Sequence, residues 1–594
     1  MSFNILGVNP GHNGSAALLV DGEIVYYAEE ERFSRFKYDG NPFRVINDII
    51  KKWHIDAIVI AGTTDTPKLP WTGEDPYSAL VRKYYPKVKV YAMHTEHHIT
   101  HASCAFYNSG FEEATAIVID GAGSYQTKEW DYQISNETKK VSATGYEAES
   151  LWKCDYDGIQ PIYKFYGDNH GPKIANDKFD FDSAITLTKV YEAVSHYLGF
   201  GFIEAGKTMG LAPYGKKDDR IPNLFVNNRG SKDVFISQYP AGAFVDVSRF
   251  PHLSYEGDCI WHKDKNLITD ISKNIAWKVQ NDTQNIVASY INFALQINPT
   301  TKNIVLSGGY ALNCVTNYFL KKNFPDINFY VEPISHDGGG AIGAAKYIWH
   351  THFNDKKIRK QTSIYYGPTY ELSEQEDVLK ENKDKINVQS ISHYDVAKLI
   401  SEKNIVSIFQ GRSEAGPRAL GNRSILYDPR DPDGKDFVNT VKGREWFRPF
   451  AGSCLKEDVN EWFDMAGLEE SPFMMYAVNV AADKVKQIPC ITHVDDTCRV
   501  QTVTEEQNEH FYKLIKEFKE ITGVPILFNT SFNLAGDPLV ETLEHALDTL
   551  YKSKLKYLYL PEHGVLVTKT ISDPEAEEKN NSNDEKKSIV EEFE

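Results

Sequence analysis

The sequence predicts an α/β protein made of two large domains. Its 594 residues exceed what one hydrophobic core usually supports. Apolar runs of strand length lead repeatedly into glycine-rich turns and then into segments with helical periodicity. A polar stretch at 352–366 separates two regions that alternate in this way. These observations predict domains at 1–355 and 366–570, and we expect the charged, apolar-poor segment 571–594 to be a disordered tail.

The elements of the first domain follow in order along the chain. Residues 3–33 read as strand, glycine-rich loop, strand, Asp-Gly turn and strand. The later predictions are a helix in 44–53, strands in 56–62 and 88–93, a helix opened by 94–106, a strand in 114–126, and strand–loop–helix units in 302–317 and 327–349. The pattern in 215–290 is too weak to assign. After the polar stretch, 391–411 predicts a helix and then a strand.

The composition limits the cellular compartment in which the protein is expected and the partners that it can bind. The seven cysteines include no Cys-x-x-Cys pair, which favours a reducing compartment and argues against a cysteine zinc site. The N-terminus lacks a signal-peptide pattern, and no apolar run reaches the ~18 residues of a membrane span. We therefore expect a cytoplasmic protein that binds no membrane. The net charge of −18 disfavours long duplex DNA, so nucleic acid is expected only as an acceptor of the reaction discussed below.

Three glycine-rich loops each follow an apolar strand. They are 11–22, 120–124 and 307–313. Glycine lets backbone N–H groups approach an anion closely, although a single loop of this kind is usually only a turn. Three of them spread over 300 residues resemble the layout of the actin-like ATPase fold, in which two halves clamp a nucleotide. No segment resembles a Walker A loop, which argues against a P-loop ATPase.

Four histidines lie within 94–101. His97 and His101 are four residues apart, so on a helix their side chains lie on one face, one turn apart. Two imidazoles in this position can hold one metal ion. Such a pair alone is more often part of a helix surface. The spacing also leaves other pairs open: His94 with His97 or His98, and His98 with His101.

Two aspartates strengthen the interpretation of the histidines as a metal site. Asp120 ends the apolar run of 114–119, and Asp337 lies in the glycine-rich loop before the helix predicted at the end of 327–349. A shell of two histidines and two aspartates suits a borderline divalent ion such as Fe, Mn or Zn.

Arginines concentrate in 411–452, where glycine and proline form turns around them. Guanidinium groups match carboxylates and phosphates in geometry, so this stretch predicts an anion-binding loop; the alternative is a solvated basic surface. Its basic residues are Arg412, Arg418, Arg423, Arg430, Lys442, Arg444 and Arg448. Short polar side chains in 529–533 follow a predicted strand and could bind a phosphate or simply form a turn.

Four motifs together are specific for a known family. GPRALGNRS, REWFRPFA, NTSFN and MGLAPYG, within a likeness that runs over nearly the whole chain, resemble the NodU/CmcH family of O-carbamoyltransferases. The N-terminal part is also similar to the metalloprotein of tRNA threonylcarbamoyladenosine synthesis, and the C-terminal part to YrdC-like domains. The resemblance implies an actin-like domain followed by a YrdC-like α/β domain.

The resemblance further implies two reactions and their residues. ATP, with Mg²⁺, and carbamoyl phosphate would give carbamoyl-adenylate in the YrdC-like domain, and the actin-like domain would pass the carbamoyl group to a hydroxyl. The implied ligands of carbamoyl phosphate and ATP are Arg418, Arg423, Lys442, Arg444, Arg499, Ser531 and Asn533, of which Lys442 and Arg444 are also catalytic. The implied metal ligands, for Fe²⁺ above Mn²⁺ or Zn²⁺, are His97, His101, Asp120 and Asp337. The implied contacts of the nucleotide or carbamoyl-adenylate are Asn9, Lys207, Gly308, Gly309 and Asn313.

The sequence leaves some roles open. His12 is either the base for the acceptor hydroxyl or a loop residue bonded to backbone. Lys207 contacts either phosphate or solvent. An actin-like kinase and a tRNA-modifying protein are the competing functions. The expected acceptor is a sugar, an antibiotic or a hydroxymethyl group, including that of a hydroxymethylpyrimidine nucleotide or DNA base, and 215–290 is where we expect contacts to it.

Overall fold

The computed structural model describes residues 2–64, 66–134, 137–167, 186–201, 203–221, 223–226 and 268–570, and four short strands between 173 and 236. The predicted tail, 571–594, lies outside the described residues, as does much of 215–290. Across the described residues, no helix combines the length and apolar content needed to cross a membrane. The six cysteines in this part of the chain are all buried, unpaired thiols.

The first sheet has five strands in the order β3-β2-β1-β4-β5. Its strands are Asn4–Asn9 (β1), Ser15–Val20 (β2), Glu23–Glu29 (β3), Ala57–Ile60 (β4) and Lys89–Ala92 (β5). The Asp21-Gly22 turn joins β2 to β3 with positive φ at both residues, as a two-residue hairpin loop requires. The first three strands pair antiparallel, whereas β1, β4 and β5 run parallel.

The second sheet repeats this order. The remaining strands of the N-terminal part are Glu113–Ile119 (β6), Tyr125–Ile134 (β7), Glu137–Asp155 (β8), Gly158–Gly167 (β9), Lys173–Ala175 (β10), Lys178–Asp180 (β11), Phe225–Val226 (β12), Arg229–Gly230 (β13), Phe235–Ile236 (β14), Asn303–Ser307 (β15) and Asn328–Val331 (β16). The succession β9-β8-β6-β15-β16 has the same parallel and antiparallel pairs as the first sheet, and β7 extends β8. The duplication confirms the predicted actin-like ATPase fold.

Nine helices are described before residue 354. They are Glu30–Ser34 (α1), Phe43–Lys52 (α2), Pro76–Tyr84 (α3), His97–Ser109 (α4), Leu187–Tyr197 (α5), Ala205–Leu211 (α6), Asp270–Ile297 (α7), Cys314–Asn323 (α8) and Gly340–Phe353 (α9). The helix α7 begins within 215–290, where the sequence pattern gave no assignment. Its buried side chains do recur every three or four residues, but asparagines and glutamines between them dilute the apolar signal.

Helices α4 and α9 pack against each other between the two sheets. Every residue of α4 is buried, because the helix lies against β6 and β15 on one side and α9 on the other. Gly343 makes the close approach possible: a Cβ there would lie 1.9 Å from the Thr100 carbonyl oxygen. The histidine-bearing helix is therefore held rigidly in the centre of the N-terminal part.

The C-terminal part is one mixed sheet of ten strands. The strands are Ile386–Ser390 (β17), Val406–Phe409 (β18), Arg423–Tyr427 (β19), Ala451–Leu455 (β20), Phe463–Asp464 (β21), Ala477–Val480 (β22), Thr497–Val503 (β23), Ile526–Ser531 (β24), Tyr557–Leu560 (β25) and Val565–Lys569 (β26). The helices are Leu372–Glu381 (α10), His393–Ser401 (α11), Gly434–Lys442 (α12), Val459–Trp462 (α13), Glu509–Thr522 (α14) and Leu543–Tyr551 (α15). The predicted α/β class is thus confirmed for both parts.

The two parts are joined by many polar contacts, and one hydrophobic core cluster contains residues of both. The predicted linker at 352–366 is fixed at its end, because the Tyr366 carbonyl accepts bonds from the Tyr27 N–H and the Arg412 guanidinium. Arg35 reaches from the N-terminal part to the Leu539 and Pro538 carbonyls. These contacts fix the two parts relative to each other.

Candidate active site

Four predicted metal ligands converge in the N-terminal part. His97 and His101 lie on the first turns of α4, Asp120 follows β6, and Asp337 opens a 3₁₀ turn ahead of α9. One ligand atom from each of these four residues, which we call the ligand group, lies within 4.8 Å of the other three. His97 Nε2 is 3.2 Å from Asp120 Oδ2 and 3.0 Å from His101 Nε2. Asp337 Oδ1 is 3.7 Å from the Nε2 atom of His97 and 3.8 Å from that of His101.

The other two histidines of 94–101 lie outside this group. The His98 Nδ1 atom is 2.7 Å from the Ser150 hydroxyl, so its ring is held on a different side of the helix. His94 precedes α4, which begins at His97. Among the described residues, the metal-ligating geometry therefore selects His97 and His101 from the pairs that the sequence left open.

The electrostatics of the group fit a divalent cation. Burial alone would lower the pKa of His97, yet Asp337 and then Asp120 raise it to about 9. Burial, followed by the neighbouring His97, lowers the pKa of His101 to about 3. Two buried carboxylates thus face two adjacent imidazoles, a donor set suited to a borderline metal ion. The Gly309 N–H donates to Asp120 Oδ1 at 3.0 Å and fixes that carboxylate.

A buried network behind Asp337 was missed by sequence reasoning. His336 Nδ1 accepts the Gly338 N–H at 3.0 Å, which places the ring proton on Nε2, 3.4 Å from Glu29 Oε1. The Ser15 hydroxyl donates to the Gly338 carbonyl at 2.7 Å. These contacts hold the turn that carries Asp337. The only signal in the sequence was the histidine beside that aspartate.

His12 and Asn9 lie on the side of this group where β1 ends. His12 Nε2 is 3.3 Å from Asp337 Oδ2, and the His12 side chain is 52 % exposed, so it faces both the ligand group and solvent. Asn9 is buried at the end of β1, and neither polar atom of its amide has a partner among the described residues. An unsatisfied buried amide is costly and is expected where a ligand supplies the missing bonds.

The third glycine loop adjoins Asp120. Gly308 has φ of +86°, and a Cβ there would lie 2.3 Å from the Ile119 carbonyl oxygen, so only glycine fits. Asn313 was expected to contact the nucleotide, but its side chain makes its hydrogen bonds within the protein. Its Oδ1 accepts the Thr316 N–H at the start of α8, and its Nδ2 donates to Gln280.

In the C-terminal part, three predicted residues meet at the end of β24. The Lys442 amine donates to the Ser531 carbonyl at 2.5 Å and to Asn533 Oδ1 at 3.0 Å, and the Ser531 hydroxyl donates to the same Asn533 oxygen at 2.7 Å. The pKa of Lys442 is well below its usual value because the amine is buried and lies near Arg444 and then Arg448.

Lys442 belongs to a larger group, which we call the cation cluster. Its members are Arg418, Lys442, Arg444, Arg448 and Arg499. Among the described residues, Glu445 is the carboxylate that pairs with the cluster, through Arg448 at 3.4 Å. The Nε atoms of Arg418 and Arg499 are buried without a partner among the described residues. Burial and then the charge of Arg499 lower the pKa of Arg418 to about 9. In the part of the chain that the structure describes, five cationic side chains thus lie together with one paired carboxylate.

Arg423 does not join the cluster, contrary to the expectation from the sequence. Its side chain is fully buried and stacks on Phe409, with the guanidinium carbon 3.8 Å from the ring centroid. Its nitrogens donate to four backbone carbonyls, those of Gln410, Gly411, Asn422 and Glu541. No N–H group is left for an anion, so Arg423 is part of the scaffold.

Lys207 connects the two parts. Its amine lies 2.6 Å from Glu204 on its own side and 2.7 Å from Glu445 beside the cation cluster. Lys37, which the sequence did not single out, lies near Lys442 and Arg448, and burial among protein atoms lowers its pKa. Lys37 is nevertheless solvent-exposed.

Fold and site together define the class of the protein. A duplicated actin-like ATPase fold carries the ligand group, and a second α/β part carries the cation cluster. Two family models match the chain, the carbamoyltransferase N-terminus over 75–346 and the carbamoyltransferase C-terminus over 397–569. The chain belongs to the carbamoyltransferase family and is a carbamoyltransferase.

Named relatives agree with this assignment. Nodulation protein NolNO of Sinorhizobium fredii is 30 % identical, over 95 % of this chain and 80 % of the relative. The 3′-hydroxymethylcephem-O-carbamoyltransferase of Amycolatopsis lactamdurans is 25 % identical, over 91 % of this chain and 94 % of the relative. Among solved structures, full-length HypF in its phosphate- and nucleotide-bound form is similar with a TM-score of 0.30 and 11 % identity, over 58 % of this chain and 55 % of that chain.

Proposed function

We propose that the protein is an ATP-dependent O-carbamoyltransferase with two reaction sites. At the first, water splits carbamoyl phosphate into carbamate and phosphate, and a carbamate oxygen attacks the α-phosphorus of ATP to release pyrophosphate. At the second, an acceptor hydroxyl oxygen bonds to the carbamoyl carbon of the resulting carbamoyl-adenylate, and AMP leaves. The observation that carries the proposal is the cation cluster, in which Arg444 lies among Arg448, Arg499 and Arg418.

The cation cluster suits the first reaction because both substrates carry dense negative charge. Phosphoryl-transfer sites work largely by positioning the substrates and offsetting this charge. The unpartnered Nε atoms of Arg418 and Arg499 are donors that phosphate oxygens can satisfy. Lys442, held by Ser531 and Asn533, would lie against the same phosphates, with Mg²⁺ accompanying ATP.

The ligand group of the N-terminal part suits the second reaction. His97, His101, Asp120 and Asp337 would hold a divalent metal, which we propose to be Fe²⁺, with Mn²⁺ or Zn²⁺ as alternatives. When bound, this ion supplies a Lewis acid beside the carbamoyl carbonyl and the adenylate phosphate. The unsatisfied amide of Asn9 would bind the nucleotide.

His12 is proposed as the base that takes the proton of the acceptor hydroxyl. It is half exposed and adjoins the ligand group through Asp337, so an acceptor entering from solvent can reach its ring. An imidazole suits proton transfer near neutral pH. A His12→Ala variant is therefore expected to lose carbamoyl transfer and to keep formation of the adenylate.

Carbamoyl-adenylate is proposed to pass between the sites inside the protein. It is labile in water, so release into bulk solvent would waste it. Lys37 lies at the junction of the two parts, near Lys442 and Arg448, where its charge can guide an anion. Recovery of most of the intermediate by a trap in solution during turnover would contradict this route.

The reaction products test the proposal. The purified protein should convert ATP to AMP and pyrophosphate only when carbamoyl phosphate is present, and it should exchange pyrophosphate into ATP under the same condition. Arg444→Gln should abolish the exchange, whereas Asp120→Asn should retain it and lose transfer. Formation of ADP, or turnover that does not depend on carbamoyl phosphate, would instead indicate an actin-like kinase or ATPase.

A further inference from the structure

Asn13 contacts His12, the proposed base, through the ring nitrogen that does not face the ligand group. His12 Nδ1 is 3.2 Å from Asn13 Oδ1, whereas His12 Nε2 is 3.3 Å from Asp337 Oδ2. An amide oxygen only accepts hydrogen bonds, so the proton of a neutral His12 ring lies on Nδ1. The Nε2 atom then keeps its lone pair free to take a proton.

The Asn13 amide is oriented in turn by Glu29, which is 4 % exposed at the end of β3. The Asn13 side chain hydrogen-bonds to the Glu29 carboxylate. Burial alone would raise the pKa of Glu29, but His336 and then Arg32 lower it to about 2. An ionised carboxylate only accepts hydrogen bonds, so the amide turns its Nδ2 group to Glu29 and its Oδ1 atom to His12. Glu29 thus decides which amide atom faces the base.

The loop between β1 and β2 is fixed on both sides of His12. The Gly11 N–H donates to the Gly40 carbonyl at 3.0 Å, and the Gly14 N–H donates to the Asp39 carbonyl at 2.9 Å. A Cβ on Gly14 would lie 2.6 Å from the carbonyl carbon of Gly40, so the two segments are in close contact. The backbone that carries His12 is therefore held by the protein itself.

The backbone conformation of Asn13 offers a simpler explanation for this residue. Its φ of +58° lies in the left-handed region, which glycine and asparagine adopt more readily than other residues. An asparagine required only by the turn can be replaced by glycine without loss. An asparagine that orients His12 cannot, because glycine keeps the turn and removes the amide. The two explanations therefore predict different results for Asn13→Gly.

We propose that Asn13, anchored by Glu29, is a positioning residue of the transfer reaction and holds the His12 ring with an unprotonated Nε2 atom toward the ligand group. The inference rests on the proposed function, because it explains how the base of that function is oriented. Which ring nitrogen carries the proton is set by the hydrogen bond that the other nitrogen makes. In the transfer, the acceptor O–H bond breaks, its proton moves to Nε2, its oxygen bonds to the carbamoyl carbon, and AMP leaves.

The first test measures the position of the proton on His12. In the full-length protein labelled with ¹⁵N at histidine and supplied with Zn²⁺, long-range ¹H–¹⁵N correlation spectra distinguish the two tautomers, and His12→Gln identifies the His12 signals by their loss. Neutral His12 should carry its proton on Nδ1 in the wild type. In Asn13→Gly the proton should move to Nε2, because Asp337 is then the acceptor that remains beside the ring. A wild-type ring with its proton on Nε2 would overturn the inference.

The second test follows the two reactions separately. Carbamoyl-phosphate-dependent pyrophosphate exchange reports adenylate formation, and AMP release to water and to glycerol, the probe nucleophiles, reports transfer. Asn13→Gly should lower AMP release about 10- to 100-fold and keep the exchange activity and the KM for ATP within about twofold. The matched control is Asn354→Gly, because Asn354 has a similar φ of +51° but lies at the far end of α9, about 20 Å from its first turn. The control should leave both activities unchanged.

A pair of substitutions that reverses the hydrogen bond tests whether the bond itself matters. Asn13→Asp sets two acceptors against each other, and Glu29→Gln removes the charge that orients the amide, so each should lower AMP release about tenfold. In the double variant the new amide can donate to the new carboxylate, which still accepts the Nδ1 proton of His12. The double variant should therefore recover to within about threefold of the wild type. A double variant as slow as the slower single variant would count against the positioning role.

Failure of the proposed function and failure of this inference are distinguishable. A wild-type protein without carbamoyl-phosphate-dependent exchange would refute the proposed function, and the spectra would still decide the hydrogen bond. Exchange with equal AMP release in the wild type and in His12→Ala would refute His12 as the base, and with it the role of Asn13. If Asn13→Gly keeps the AMP release of the wild type, Asn13 serves the turn alone.

Discussion

Replacing Arg418 by methionine should stabilise the free protein and weaken its binding of pyrophosphate. Most substitutions of a buried arginine destabilise, because they leave a partner carboxylate uncompensated. Arg418 has no such partner within the cation cluster: its nearest charges are Arg499 and Arg448. Among the described residues, its hydrogen-bond acceptor is the Leu312 carbonyl, 3.2 Å from Nη2.

The magnitudes follow from these contacts. Each tenfold change in proton affinity is about 1.4 kcal/mol, so lowering the pKa from 12.5 to about 9 corresponds to about 5 kcal/mol against the charged form. Arg418 is partly exposed, and screening by water reduces this figure. Losing one hydrogen bond costs about 1–2 kcal/mol. The expected net gain is about 1–3 kcal/mol, which corresponds to a rise in Tm of about 2–4 °C per kcal/mol for a domain of about 200 residues.

The assay combines thermal unfolding with calorimetric titration of pyrophosphate. Arg418→Met should weaken pyrophosphate binding about 100-fold, the equivalent of about 3 kcal/mol for a lost charge-assisted contact. Arg430→Met is the matched control, because Arg430 is paired with the buried Asp428 at 2.6 Å. The control should lose stability and keep its pyrophosphate affinity. An Arg418→Met protein that loses stability as the control does, or binds pyrophosphate as tightly as the wild type, would refute the reasoning.

Three further predictions concern other parts of the molecule. Asp120→Asn should reduce bound metal, measured by elemental analysis, to about a tenth of the wild-type content; full retention would contradict its assignment as a ligand. Arg423→Met should destabilise by about 3–5 kcal/mol in urea unfolding, because four carbonyls lose their donors; a loss below about 1 kcal/mol would contradict the scaffold role. Although burial alone would raise the pKa of Glu445, Arg448 and Lys207 lower it from 4.5 to about 2, so its contribution of about 3 kcal/mol is present above about pH 5 and lost as the pH falls toward 2. Glu445→Gln should flatten the fall in unfolding free energy over that window, and an unchanged slope would count against the pairing.

Local patterns determined much of the fold. The Asp21-Gly22 turn, the apolar strands and the glycine loops depend on neighbouring residues, so the sequence predicted the first hairpin and the strand before each loop. Helix α7 was not predicted, because polar residues between its buried positions obscure the apolar periodicity. The pairing of β8 with β6, β7 and β9 was not predicted either, because the register between distant segments is set by tertiary contacts.

The sequence by itself identified the family, the four histidines of 94–101 and the arginine-rich stretch of 411–452, because these are properties of residue type and spacing. Only the tertiary structure decided which of these histidines and arginines lie together in a site. It brought His97 and His101 to Asp337 across more than 230 residues, and it turned His98 to Ser150. It also enclosed Arg423 among backbone carbonyls and placed Arg418 beside Arg499 and Arg448, a difference that depends on what surrounds each guanidinium and not on the residue itself.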